Sequence, residues 1–133
     1  MKNTNEIFRA IESACQGLIY ISETDAPILP FTSGRVDVVN AEIVRKNTNA
    51  QKGVLIEERT FDEFFDRLTM IRDWYGERET QQAKKFLELK QTLEEYLRDL
   101  KTFRIGSRRI DIFVVGLDPE GNLTGVTTKA VET

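Results

Sequence analysis

Arg108-Arg109-Ile110-Asp111-Ile112-Phe113-Val114-Val115-Gly116 is the stretch that decides the fold. Side chains along a strand alternate between its two faces. Here Ile110, Ile112 and Val114 share one face, while Phe113 and Val115 take the other. A strand that is apolar on both faces is covered on both. It is expected at the centre of a sheet, with helices packed on either side of a mostly antiparallel arrangement, in an α/β (α+β) fold.

The neighbouring sequence supplies the partners of this strand. Upstream, Phe103-Arg104-Ile105 leads into Gly106-Ser107, which reads as a two-residue hairpin turn of the II′ kind. Arg104, Arg108 and Arg109 gather near that turn, either to hold a phosphate or to protect a sheet edge against aggregation. Downstream, Asp118-Pro119-Glu120-Gly121 forms a tight turn: proline presets φ at the first corner and glycine tolerates a positive φ after it. Asn122 to Thr133 is then a β-branched strand running to the end of the chain, with no polar tail beyond it. Two readings of Thr133 stand open. It is the plain end of a strand, or its α-carboxylate is held in place as a hard oxygen ligand for Mg²⁺ or Ca²⁺ or for an arginine fork.

Composition removes several function classes. The 133 residues suit one domain, expected over residues 1–133. The net charge of −3 disfavours direct nucleic-acid binding. No apolar run is long enough to cross a membrane, and the N-terminus opens an amphipathic pattern instead of a signal core. A single cysteine, Cys15, excludes an internal disulfide and fits a reducing, cytoplasmic setting. With no histidine in the chain, the usual zinc sites and Ser-His-Asp or Cys-His catalysis are excluded. An enzyme would have to work with carboxylates, lysine or tyrosine, and none is expected.

Along the chain, Asn3 caps a helix over residues 4–16, with Glu6 as the reciprocal capping residue and Gly17 just past its end. Residues 18–22 read as a buried strand, followed by a proline-containing loop over 22–34. Glu23 and Asp25 open that loop, either as solvated charge or as an acidic contact. Residues 35–39 read as a short strand, Asn40 caps a short helix, and residues 54–59 form another strand. Thr60-Phe61-Asp62-Glu63 is a capping box that opens a helix with Phe61, Phe64, Phe65 and Leu68 on one face. Residues 80–100 read as the longest helix, with Ala83, Phe86, Leu89, Leu93, Leu97 and Leu100 as its stripe. Trp74 lies between the last two helices beside Tyr75, as a buried bracket or as an exposed anchor for a partner.

Several of these segments together resemble the nuclease A inhibitor family, small acidic bacterial proteins that block a sugar-non-specific DNA/RNA nuclease. The likeness rests on Gly121-Asn122-Leu123, Gly125, and the terminal Thr128-Lys129-Ala130-Val131-Glu132-Thr133. It recurs in Gly17-Leu18, Ser22-Glu23, Glu42-Ile43-Val44, Phe64-Phe65 and Asp73-Trp74-Tyr75. The resemblance implies a three-layer α/β/α sandwich. It implies that Thr133 coordinates the catalytic Mg²⁺ of the nuclease through its C-terminal carboxylate. Glu23 would enter the active site near that metal, and Trp74 would pack at the interface. The protein would need no cofactor of its own and would act as a monomer in a one-to-one complex with a sugar-non-specific endonuclease. Two other readings remain: an interaction module of the same fold with a different partner, and an enzyme built on Glu23, Asp25 and lysines.

Overall fold

A computed structural model of the chain describes residues 2–133. Among these residues there are four helices and seven strands. The order is α1 (Thr4–Cys15), β1 (Ile19–Ile21), β2 (Asp25–Pro27), β3 (Leu29–Arg35), α2 (Ala41–Asn47), β4 (Ile56–Thr60), α3 (Phe61–Asp66), α4 (Glu77–Tyr96), β5 (Arg98–Ile105), β6 (Arg109–Leu117) and β7 (Asn122–Val131). The main sheet has five strands in the order β3-β7-β6-β5-β4, and every neighbouring pair is antiparallel.

β6 is central, as its two apolar faces require. Ile110, Ile112 and Val114 pack with Val126 and Ala130 of β7 against residues of α1, α3 and α4. On the opposite face Val115 and Leu117 pack with Phe103, Ile105 and Leu123 against Val39 and Val44, the latter from α2. Three of the four helices begin where a side chain satisfies a free N–H group, whereas α4 follows Gly76 with no side-chain cap. Asn3 Oδ1 accepts from Glu6 N, Asn40 Oδ1 from Ile43 N and Thr60 Oγ1 from Glu63 N. At α1 a carboxylate from the far end of the chain assists. Glu120, in the β6–β7 turn, accepts from both the backbone N–H and the hydroxyl of Thr4. The negative group sits at the positive end of the helix dipole. These bonds, the side-chain one first, hold the Glu120 carboxyl below its ordinary range.

Five expectations change. The buried strand expected over residues 18–22 is the shorter β1, which pairs only with β2 as a small two-stranded hairpin and leaves Ile21 exposed. The stretch expected to be a loop over 22–34 contains β2 and β3. Pro30 hid β3, because proline cannot donate to a ladder, but β3 is an edge strand, where proline is tolerated. Residues 35–39 are not a strand; after Arg35 the chain leaves the sheet and buries Val39 on the way to α2. The long helix starts earlier, at Glu77, and stops at Tyr96. Leu97 is extended (φ −118°, ψ 149°), and Asp99 adopts a left-handed φ of 57° before β5 settles into register. The helical stripe misled here because Leu97 and Leu100 pack on the same core as the α4 stripe although they lie beyond the helix. Finally, the β5–β6 connection is longer than two residues, since its closing pair is Ile105 and Asp111.

Gly125 marks the tightest approach in the sheet. A Cβ there would lie 2.0 Å from the carbonyl oxygen of Val114. The backbone of an interior strand cannot retreat from that contact. Gly125→Ala is therefore expected to cost on the order of 3 kcal/mol or more in denaturant unfolding. A second prediction concerns Glu120. A depressed carboxyl stabilises the native state above its unfolded pKa and loses that effect as pH falls through the native value. Glu120→Gln should lower the thermal midpoint at pH 7, and its gap to wild type should narrow as the pH falls below about 4.5.

Candidate functional site at the end of the terminal strand

Ser22, Glu23 and Thr24 form the tip of the β1–β2 hairpin, beyond the closing pair Ile21 and Asp25. The hairpin is placed by its aromatic side chain: Tyr20 is buried and stacked on Phe64 of α3, with ring centroids 5.5 Å apart. The side chain of Thr128 on β7 donates to the carbonyl of Pro27, at the other end of the hairpin. The tip thus lies alongside the end of β7, where Glu23 N donates to Val131 O at 3.2 Å.

The structure brings Glu23 and Thr133 together. Thr133 N donates to Glu23 Oε2 at 2.6 Å, and Thr133 Oγ1 donates to Glu23 Oε1 at 2.8 Å. Both carboxylate oxygens are engaged, each by a neutral donor. Among the described residues no ion pair involves Glu23 or Thr133. Other acids on β6 or just past β7 are treated differently: Glu132 is paired with Arg104, and Asp111 with Lys129 at 2.9 Å. Glu23 therefore carries a negative charge that no cation pairs, on a group that still has free lone pairs.

The model of a family described as nuclease A inhibitor-like proteins matches residues 5–133. The chain belongs to that family. Among curated proteins no relative matches it. At the level of this family, the function is nuclease inhibition and the partner is a nuclease.

Trp74 lies apart from Glu23 and Thr133 in sequence and in hydrogen bonding. Its side chain is 75% exposed, in the connection between α3 and α4, and stands edge-on to Tyr75 with centroids 4.8 Å apart. The buried-bracket reading is therefore overturned; the tryptophan faces water in the free chain. Met70 and Ile71, in the same connection, are also exposed, as is Ile21 beside the hairpin tip. Composition gave no means of singling these three out, because exposure of an apolar side chain depends on where the helices end. Of the three arginines near the β5–β6 turn, Arg104 is committed to Glu132 and is not a free phosphate ligand. Burial disfavours the charge of Arg104, but the bond to Glu132 and its charge, with a smaller contribution from Tyr20, more than offset this and raise the pKa.

Two open depressions, of about 250 and 280 Å³, lie elsewhere. One runs along Thr48, Gln51, Arg109 and Asp111, the other along Cys15, Gln16 and Leu29; neither includes Glu23, Trp74 or Thr133. The candidate site is a projecting tip rather than a pocket, which suits entry into a partner's cleft and not capture of a small molecule. The ends of no helix contribute to it, and no helix of the described residues is long and apolar enough to cross a membrane.

Cys15 takes no part in this surface. It is buried in the layer under α1, and burial, aided by the charge of Glu12, pushes its thiol from 9.0 up to about 12. A thiol held protonated is a poor nucleophile. Because the native value lies above the unfolded one, the associated stability is fully present below pH 9.0 and is lost as pH rises from there toward about 12. Urea midpoints of wild type and Cys15→Ala, taken from pH 8 to pH 10.5, should show the steeper fall in wild type.

Proposed function

We propose that this protein inhibits a metal-dependent, sugar-non-specific nuclease by occupying its active site with Glu23 and the C-terminal carboxylate of Thr133. The observation that carries this reading is the pair of hydrogen bonds from Thr133 to the Glu23 carboxylate. Residues 110 positions apart, which the family resemblance implicates separately, share one point on the surface. The complex is one-to-one with a monomeric inhibitor, inside the cytoplasm, and the protein performs no catalysis itself.

The chemistry follows from what such a nuclease binds. Its Mg²⁺ and cationic side chains stabilise the charge of a phosphodiester. Two carboxylates side by side present negative oxygens where phosphate oxygens would lie, and offer no bond to cleave. Mg²⁺ takes oxygen ligands in near-octahedral geometry and keeps several waters, so one α-carboxylate oxygen can replace a water. Glu23 contributes the second negative group and fixes the first. Its oxygens hold the N–H and hydroxyl of Thr133, so the residue binds with little loss of freedom. The exposed ring of Trp74 supplies an apolar anchor for the rim of the complex. The metal belongs to the partner; the chain needs no ion of its own.

The test compares wild type with four variants in an inhibition assay against a Mg²⁺-dependent, sugar-non-specific nuclease. Removal of Thr133, or addition of one alanine after it, should weaken inhibition by about 100-fold or more, with the thermal midpoint little changed. Glu23→Gln should weaken it comparably, and Trp74→Ala by about 10- to 100-fold. Equal inhibition by wild type and the chain-end variants would overturn the metal bridge. Failure of wild type to inhibit, with capture of a different protein partner, would favour an interaction module of the same fold.

A further inference from the structure

β7 ends at Val131, yet each backbone N–H from Val131 to Thr133 is bonded. Val131 N donates to Ser22 Oγ at 3.0 Å, Glu132 N to the carbonyl of Arg108 at 2.9 Å, and Thr133 N to Glu23. Two side chains, those of Ser22 and Arg104, hold this segment from either side. The Ser22 hydroxyl is used in full: besides Val131 N it accepts from Thr24 N at 3.3 Å and donates to Thr24 O at 3.1 Å. It ties the last residue of β7 to the hairpin tip that carries Glu23.

Arg104 acts from the other side. It lies on β5, paired with Ile112 of β6, and so shares the face covered by α1, α3 and α4. From there its guanidinium reaches past β6 to the carboxylate of Glu132, with only 17% of its side chain exposed. Screening by water and salt is weak at such a site, and a guanidinium–carboxylate bond is directional as well as strong. Glu132 stands next to Thr133. Left unpaired, its carboxylate would be free to turn and would add a third negative charge beside Glu23 and the chain end.

We propose that Ser22 and Arg104 are positioning residues: by fixing Val131 and Glu132 they hold Thr133 in the orientation that the partner's metal site receives. This rests on the inhibitor reading above. Both act through the chain end. Each reduces the freedom that the chain end would otherwise lose on binding.

Three readouts on the full chain test the proposal: amide exchange of residues 131–133 in the free protein, thermal midpoint, and the inhibition constant against a Mg²⁺-dependent nuclease. Ser22→Ala and Arg104→Met should speed exchange at Glu132 and Thr133 and weaken inhibition about tenfold. Ser22→Thr, which keeps the hydroxyl, should restore both. Glu132→Gln, at an exposed group that does not endanger folding, should behave like Arg104→Met. The double variant Arg104→Met/Glu132→Gln should be no weaker than either single one, since the two groups act as one pair. Unchanged exchange, or faster exchange with unchanged inhibition, would overturn the positioning role. So would single effects that multiply in the double variant. A wild type that inhibits no such nuclease removes the functional reading itself. Strong wild-type inhibition with unmoved variants removes only the positioning role.

Discussion

β7 is bonded along both edges, to β3 on one side and β6 on the other. An interior strand cannot slip by one residue without turning its buried side chains to the wrong face. Its register is further pinned by Gly125, where the backbone of β6 comes too close for any side chain. Leu123 fills one face, and Val126 and Ala130 the other. The position of Thr133 is thus a consequence of core packing that begins ten residues upstream. A group at the end of a free tail would have to be ordered at the moment of binding; here the ordering is part of folding.

The parts of this fold that were legible in the sequence are those whose cause is local. β6 carries its own burial pattern on alternate positions. Asn3, Asn40 and Thr60 announce helices because a cap needs only a side chain and the N–H three residues on. The parts that were not legible depend on neighbours distant in the chain. β3 contains Pro30 and shows no alternation, and it is a strand only because β7 offers it an edge. The end of α4 looks helical through Leu100, because apolar residues three and four apart also suit the passage from a helix to a strand over the same core. Pattern raised Glu23, Trp74 and Thr133 as candidates, each beside a plain structural reading, and the resemblance chose between the two. Nothing in the residues around Glu23 signals that its carboxylate meets Thr133, and nothing around Glu132 signals Arg104. Each of those bonds exists because the topology folds separate segments to one corner of the sheet.

The charges at that corner are sorted by the kind of donor each acid meets. Glu132 meets a guanidinium and Asp111 an ammonium, so their fields are largely cancelled nearby. Glu23 meets an N–H and an O–H, which hold its geometry without cancelling its charge. A modest net charge of −3 can therefore coexist with an unpaired negative charge held in fixed geometry at the hairpin tip. Such a charge raises the rate of encounter with a cationic cleft more than the net charge alone suggests.

The hairpin that bears Glu23 has strands of three residues each and is joined to no other sheet. A two-stranded ribbon of that length is not stable in isolation. It stays in place through Tyr20 on Phe64, the Thr128 bond to Pro27, and the bonds of Ser22 and Glu23 to Val131. All three of these hydrogen bonds are made with β7. Conversely, Thr133 lies beyond the end of β7 and is held by Glu23 of the hairpin tip. Each segment supplies the donors and acceptors the other lacks, so neither holds its shape alone. Glu23 and Thr133 are consequently fixed relative to one another more tightly than either is fixed by its own segment, and that mutual fixation is the rigidity the proposed role would draw on.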